Sequence, residues 1–151
     1  MKRGIRAIAV AAALVAATSL IIHAQDDLQS QAGEIQVQLG QQFFNDGRYA
    51  DAVDAYRKAL TAPQSSIALA ARSGLVLTAL RTADFVTARV ESEALLKAAP
   101  TDANALALDG DALWSGGLFD EAEARYQEAL AKAPDLARAH SGMARALAAR
   151  S

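Results

Sequence analysis

The chain has 151 residues, 52% of them hydrophobic and 21% charged, which suits one packed domain and excludes a disordered polymer. It contains no cysteine, so disulfide frameworks and thiolate chemistry are excluded. The formal net charge is −2 and no basic block stands out, which argues against a nucleic-acid surface. Aromatic residues make up only 5%, and the apolar content is mostly Ala and Leu, two strong helix formers. The composition therefore predicts an all-α fold.

In chain order, residues 1–24 read first as a signal segment. Lys2, Arg3 and Arg6 form a positive flank, Ala7 to Ile22 is uncharged, and Ala24 precedes the polar run Gln25-Asp26-Asp27. The expected cut lies between Ala24 and Gln25, with 25–32 as a mature N-terminal tail. The alternative is an uncleaved anchor, although the uncharged run is shorter than the roughly 20 residues of a spanning helix. No cysteine follows it, which excludes attachment of a lipid through a cysteine. The expected location is exported and periplasmic, with inner-membrane anchoring as the alternative. Removing Lys2, Arg3 and Arg6 leaves 12 basic residues against 17 acidic ones, a net charge of −5.

The rest of the chain predicts pairs of amphipathic helices, at 30–45 and 49–61, 67–81 and 85–98, and 102–115 and 119–132. A last helix is expected at 136–149. Asn45-Asp46-Gly47, Thr82-Ala83-Asp84 and Ser115-Gly116-Gly117 are the turn signals within the pairs. Pro63, Pro100 and Pro134 stop the second helices, because proline lacks an N–H and disfavours helix in the residue before it. Phe85-x-x-Ala88 and Phe119-x-x-Ala122 lie 34 residues apart, as do Pro100 and Pro134. The copy at Tyr49-x-x-Ala52 lies 36 residues before the second, with extra residues in the Gln64-Ser65-Ser66 loop.

These positions resemble the tetratricopeptide repeat (TPR) family. The first unit supplies Leu39-Gly40, Phe43, Gly47, Tyr49, Ala52, Tyr56 and Ala59. The third supplies Gly110, Leu113, Gly117, Phe119, Ala122, Tyr126, Ala129 and Pro134. The second is a degenerate copy, with Val76, Ala79, Ala83, Phe85, Ala88, Ser92, Leu95 and Pro100. The resemblance covers residues 33–151 and implies a right-handed superhelix of stacked helix-turn-helix repeats, an α-solenoid. The repeats fall at 33–66, 69–102 and 103–136, followed by a terminal helix at 137–149. Small residues at Gly40, Ala52, Gly110 and Ala122 are expected to let the two helices of a unit, A and B, approach closely. Tyr49, Phe85 and Phe119 are expected to fill the wedge between successive pairs. Asp109 departs from the family, which usually has Leu there. A carboxylate at that point is expected either to face the groove or to weaken the third pair.

No catalytic constellation is evident, so the expectation is a protein without enzymatic activity, cofactor or metal. His140 is read as a packed structural residue. Asp120-Glu121-x-Glu123 sits at a helix start, where acids complement the macrodipole. Asp109-Gly110-Asp111 lacks the rest of a calcium loop. Gly116-Gly117 lacks the lysine of a phosphate loop.

The resemblance places a ligand groove on one stripe of the A helices. The stripe is Glu34, Val37, Gln38, Gln41 and Phe44, then Ala70, Ser73, Leu77 and Leu80, then Asn104, Ala107, Leu108, Asp111 and Trp114, then Arg138, Ser141 and Arg145. Phe44, Leu77 and Trp114 are its expected apolar anchors, and Arg138 and Arg145 are expected to meet an acidic group on the partner. The family's carboxylate clamp of Lys and Asn maps onto Val37, Gln41, Gly74, Asn104 and Leu108, so its lysines and arginine are missing. The expected partner is a protein or peptide with an apolar or amphipathic segment, and not nucleic acid. Membrane contact is expected only if the N-terminal segment stays uncleaved. Self-association and an N-terminal portion of a larger exported protein, an enzyme included, remain alternatives.

Overall fold

The computed structural model describes the backbone of residues 2–149 and the side chains of residues 24–149. Apart from Ala24, the side chains of the signal segment expected at 1–24 lie outside the described residues. Seven helices follow one another: α1 (Lys2–Asn45), α2 (Tyr49–Ala59), α3 (Ser65–Arg81), α4 (Phe85–Ala98), α5 (Ala103–Ser115), α6 (Phe119–Lys132) and α7 (Ala137–Ala148). Among the described residues there is no strand, and no helix is long and apolar enough to cross a membrane.

Helices α1 and α2, α3 and α4, and α5 and α6 form hairpins. Each B helix (α2, α4, α6) touches only the A helices on either side of it, while the A helices α1, α3, α5 and α7 also pack on one another. The A helices therefore form one continuous inner layer and the B helices a spaced outer one. That is the solenoid arrangement, in which every unit borrows its core from its neighbour.

The helix boundaries have local causes. The turns after α1, α3 and α5 pass through a left-handed residue: Gly47 (φ 76°), Ala83 (φ 59°) and Gly117 (φ 81°). Each is closed by the same backbone bond, Arg48 N–H to Phe43 O at 2.8 Å, Asp84 N–H to Ala79 O at 2.9 Å, and Leu118 N–H to Leu113 O at 3.0 Å. Asp84 caps α4 by accepting from the Thr87 N–H at 3.0 Å, which holds its carboxyl below the ordinary aspartate range. Asp102 caps α5 through the Ala105 N–H at 2.8 Å. Residues 25–32, read from sequence as a tail, continue α1. Ser30 is buried there, and a Cβ on Gly33 would lie 2.5 Å from the Ala62 Cβ, so this part of α1 lies tight against the α2–α3 loop.

The main packing element is a tyrosine held between two glycines. Tyr56 of α2 lies against Gly40 of α1 and Gly74 of α3, and a Cβ on Gly40 would come within 2.6 Å of its ring. Tyr126 of α6 repeats this between Gly110 of α5 and Gly142 of α7, again 2.6 Å from a Cβ built on Gly110. Both rings are buried. Ala52, Ala88 and Ala122, one turn earlier, are also buried and keep the hairpins narrow.

The middle unit solves the same problem with inverted volumes. Ser92 takes the tyrosine's place, 16 residues after Val76 and 16 before Leu108, the spacing that separates Gly110, Tyr126 and Gly142. Val76, Ser92 and Leu108 are all buried, and Val76 and Leu108 share one core cluster. A large residue on each A helix thus replaces a large residue on the B helix, which keeps the interior filled. This is the physical content of what looks from sequence like a degenerate repeat.

The wedge expectation is corrected on the same evidence. Phe85 and Phe119 are 42% and 49% exposed, and Tyr49 is half-buried. They stand at the first turn of their helices, at the solvent edge of each hairpin. Tyr49 packs there on Phe44 with ring centroids 5.6 Å apart, and Phe119 on Trp114 at 4.6 Å. The buried aromatic lies two turns further on, where both flanking A helices are within reach.

Asp109 is corrected as well. It neither faces the groove nor lacks partners. It is buried on the side facing the B helices, accepting from Arg89 Nη1 at 3.1 Å, Arg125 Nε at 3.0 Å and Ser92 Oγ at 2.9 Å. One carboxylate of α5 thus ties α4 to α6, two helices that do not otherwise touch. His140 also differs from expectation: it is exposed, and its Nε2 donates to the Pro134 carbonyl at 2.6 Å, bracing the α6–α7 loop.

Two stability outcomes follow. Ala83 carries a Cβ in a conformation that glycine occupies in the other two turns, so Ala83→Gly should stabilise the chain by roughly 0.5–1 kcal/mol, read as a higher urea midpoint. Tyr56→Ser alone should cost about 3–5 kcal/mol, the range for emptying a buried aromatic site. Adding Gly40→Val and Gly74→Leu, which imitates the middle unit, should recover a measurable part of that loss. A purely additive cycle would show that the volumes are not exchanged across the three helices.

Candidate functional site

The A-helix layer presents its free stripe as a concave surface with two depressions. The N-terminal one lies between α1 and α3 and is lined by Glu34, Val37, Gln38, Ser66, Ile67 and Ala70. The second, of ≈ 310 Å³, is lined by Phe44, Leu77, Leu80, Arg81, Asp111, Ser115, Arg138 and Arg145. Four helices contribute to it. Each gives residues from its own copy of the stripe, because equivalent positions of successive A helices lie side by side.

Six expected groove residues meet in that second depression, and Glu34, Val37, Gln38 and Ala70 line the first. Gln41 is exposed and its amide donates to Asn45 Oδ1 at 3.1 Å. Asn104 is exposed and lines neither depression. Ala107 and Leu108 are fully inside the core, so they are removed from the surface. Trp114 is half-buried against Phe119 and lies 5.8 Å from the Arg145 guanidinium, beside the depression and outside its lining. Arg81 and Ser115 were missed. They are equivalent residues, 34 apart, in the last turn of α3 and α5, one step beyond the stripe drawn from sequence.

Charge defines this depression. Asp111 is buried and accepts from three groups: the Tyr126 hydroxyl at 2.8 Å, Arg138 Nη1 at 2.7 Å, and Arg145 Nη2. Burying a carboxylate requires such partners. Arg138 and Arg145, expected to wait for an acidic partner, are therefore already engaged by an acid of their own chain. That acid offers one negative charge to two cations. Arg81 adds a third guanidinium, whose Nε donates to the Tyr49 hydroxyl at 3.2 Å and which lies far out in solvent. The depression is thus cationic on a chain whose part beyond residue 24 is acidic. Its other half, Phe44, Leu77 and Leu80, is apolar and half-buried.

Asp109 and Asp111 are two residues apart on α5, which turns them about 200° around the axis. One points to the B helices and the other to the groove. Among the described residues no group of three or more His, Cys, Asp or Glu is placed to hold a metal ion.

No family model matches the sequence, and no curated protein matches it. Solved structures do match. The first TPR domain of Spaghetti (RPAP3), bound to the HSP90 peptide SRMEEVD, is 20% identical with a TM-score of 0.71 over 80% of this chain and 94% of that one. The second TPR domain of human RPAP3, in complex with the HSP70 peptide SGPTIEEVD, is 17% identical with a TM-score of 0.68 over 81% and 98%. The Arabidopsis OM64 TPR domain is 18% identical with a TM-score of 0.71 over 80% and 98%. This chain has the fold of a TPR domain, as its resemblance to that family implies.

The Tyr126 network makes a pH signature. Burial, and then the charge of Asp111, push the Tyr126 hydroxyl well above its ordinary value. Below about pH 10 the tyrosine is protonated in both folded and unfolded chains. Above it the unfolded chain loses its proton first, so stability falls as pH rises past about 10. Tyr126→Phe should reduce that alkaline loss. Tyr56, also raised by burial, leaves a residual one. Urea midpoints at pH 8 and at pH 10.5 check both, and an unchanged pH slope in the variant would show that Tyr126 is not the group concerned.

Proposed function

We propose that this chain is an exported, periplasmic binding module without catalytic activity, whose concave surface holds a segment of a partner protein. The observation that carries the reading is the C-terminal depression, where apolar Phe44, Leu77 and Leu80 border polar groups from α3, α5 and α7. Grooves of this kind bind by desolvating apolar anchors, while a few polar groups set orientation. Solved domains of the same fold hold chaperone peptides, which supports a peptide or protein ligand. The clamp positions Val37, Gln41, Gly74, Asn104 and Leu108 carry no cation here, and Gly74 and Leu108 are buried. The clamp that the family uses for chaperone tails is therefore not reproduced.

Export rests on Lys2, Arg3, Arg6 and the uncharged run to Ile22. A second reading, in which a further helix or a second copy covers the end of the array, is favoured by one residue. Leu147 is 60% exposed, whereas Leu113, its equivalent 34 residues earlier, is 5% exposed beneath α6.

The test combines location and surface. Fractionated cells should yield the chain in the periplasm, beginning at Gln25. Capture of partners from envelope extract should be lost with Leu77→Asp and kept with Val86→Asp, a substitution at an exposed site on the outer helix α4. Equal loss in both variants, or in neither, would remove the groove from the reading.

A further inference from the structure

We infer that the groove selects a segment in which an acidic side chain accompanies an apolar anchor, the carboxylate being read by Arg81, Arg138 and Arg145. The inference rests on the groove reading above and names its ligand chemistry. Three guanidinium groups and a single carboxylate line the depression, so its lining keeps a surplus of positive charge. Asp111 does not cancel that surplus. It fixes it in place, because Arg138 and Arg145 reach from α7 toward α5 to meet one buried acid. Immobilised guanidinium groups lose less entropy when a carboxylate arrives, and their planar forks suit it. Arg145 also lies near the Trp114 ring, which restrains it on a second side.

Geometry sets the spacing of the ligand's two features. The apolar wall belongs to α1 and α3, and the cations of α7 are drawn over α5. Neighbouring packed helices lie about 8–10 Å apart. An extended chain advances roughly 3.3 Å per residue. The acid should therefore stand about three residues from the Leu or Phe that fills the space over Leu77 and Leu80. Basic segments are disfavoured by the same cations, which gives the groove a sign preference as well as an apolar one.

The experiment is selection of a random 12-residue peptide display library on the purified chain. Selected peptides are then synthesised with each Asp or Glu kept or changed to its amide and titrated by fluorescence anisotropy. Arg138 and Arg145 are tied into the fold through Asp111, so Arg81→Gln, which leaves that network intact, is the main variant. Support is a consensus with an acid about three residues from Leu or Phe, at least tenfold weaker binding after the acid-to-amide change, and weaker binding by Arg81→Gln. Binding should also fall with added salt. If selected peptides show no preference for acid but lose binding with Leu77→Asp, the inference fails and the groove reading stands. If no peptide is selected, or binding ignores both Leu77→Asp and Arg81→Gln, both fail.

Discussion

The whole array depends on how much volume one B-helix side chain places between two A helices. In the outer units a tyrosine fills the gap and both A helices must present glycine to it. In the middle unit a serine leaves room, and valine and leucine fill it from either side. The same interior positions are thus filled by opposite assignments of bulk. Because interiors are packed to nearly uniform density, neither solution tolerates half of the other. The regular inner layer of A helices, and hence the existence of a concave surface, follows from this balance.

Charge is arranged under a second constraint. Helix α5 buries two carboxylates, and each is tolerated only because cations from other helices reach it. Asp109 draws Arg89 and Arg125 together on the outer side, linking B helices that have no direct contact. Asp111 draws Arg138 and Arg145 across the inner side and anchors α7, the helix with no B partner among the described residues. The second network also shares an atom with the core, since the Tyr126 hydroxyl that donates to Asp111 belongs to the ring held between Gly110 and Gly142. Packing of the last unit and the chemistry of the groove are therefore one structure. A substitution at Asp111 would act on both.

The chain alone determined what depends on neighbours within a turn or two. Apolar periodicity, the turn signals Thr82-Ala83-Asp84 and Ser115-Gly116-Gly117, and Pro100 and Pro134 placed α4 and α6 at their observed limits, because turn chemistry acts over a few residues. The resemblance to TPR units supplied the groove stripe, and six of its residues line one depression because equivalent A-helix positions lie side by side in the stack. Tertiary structure decided everything set by partners 15 or more residues away. It moved the buried aromatic from Phe119 to Tyr126, because only two flanking helices can enclose a ring. It sent Asp109 outward and Asp111 inward, and it gave Arg138 and Arg145 to an acid of their own chain. It also carried Arg81 to the groove's edge. Side-chain volume and charge are visible in a sequence, but which of them must share a space is fixed only once the helices are stacked.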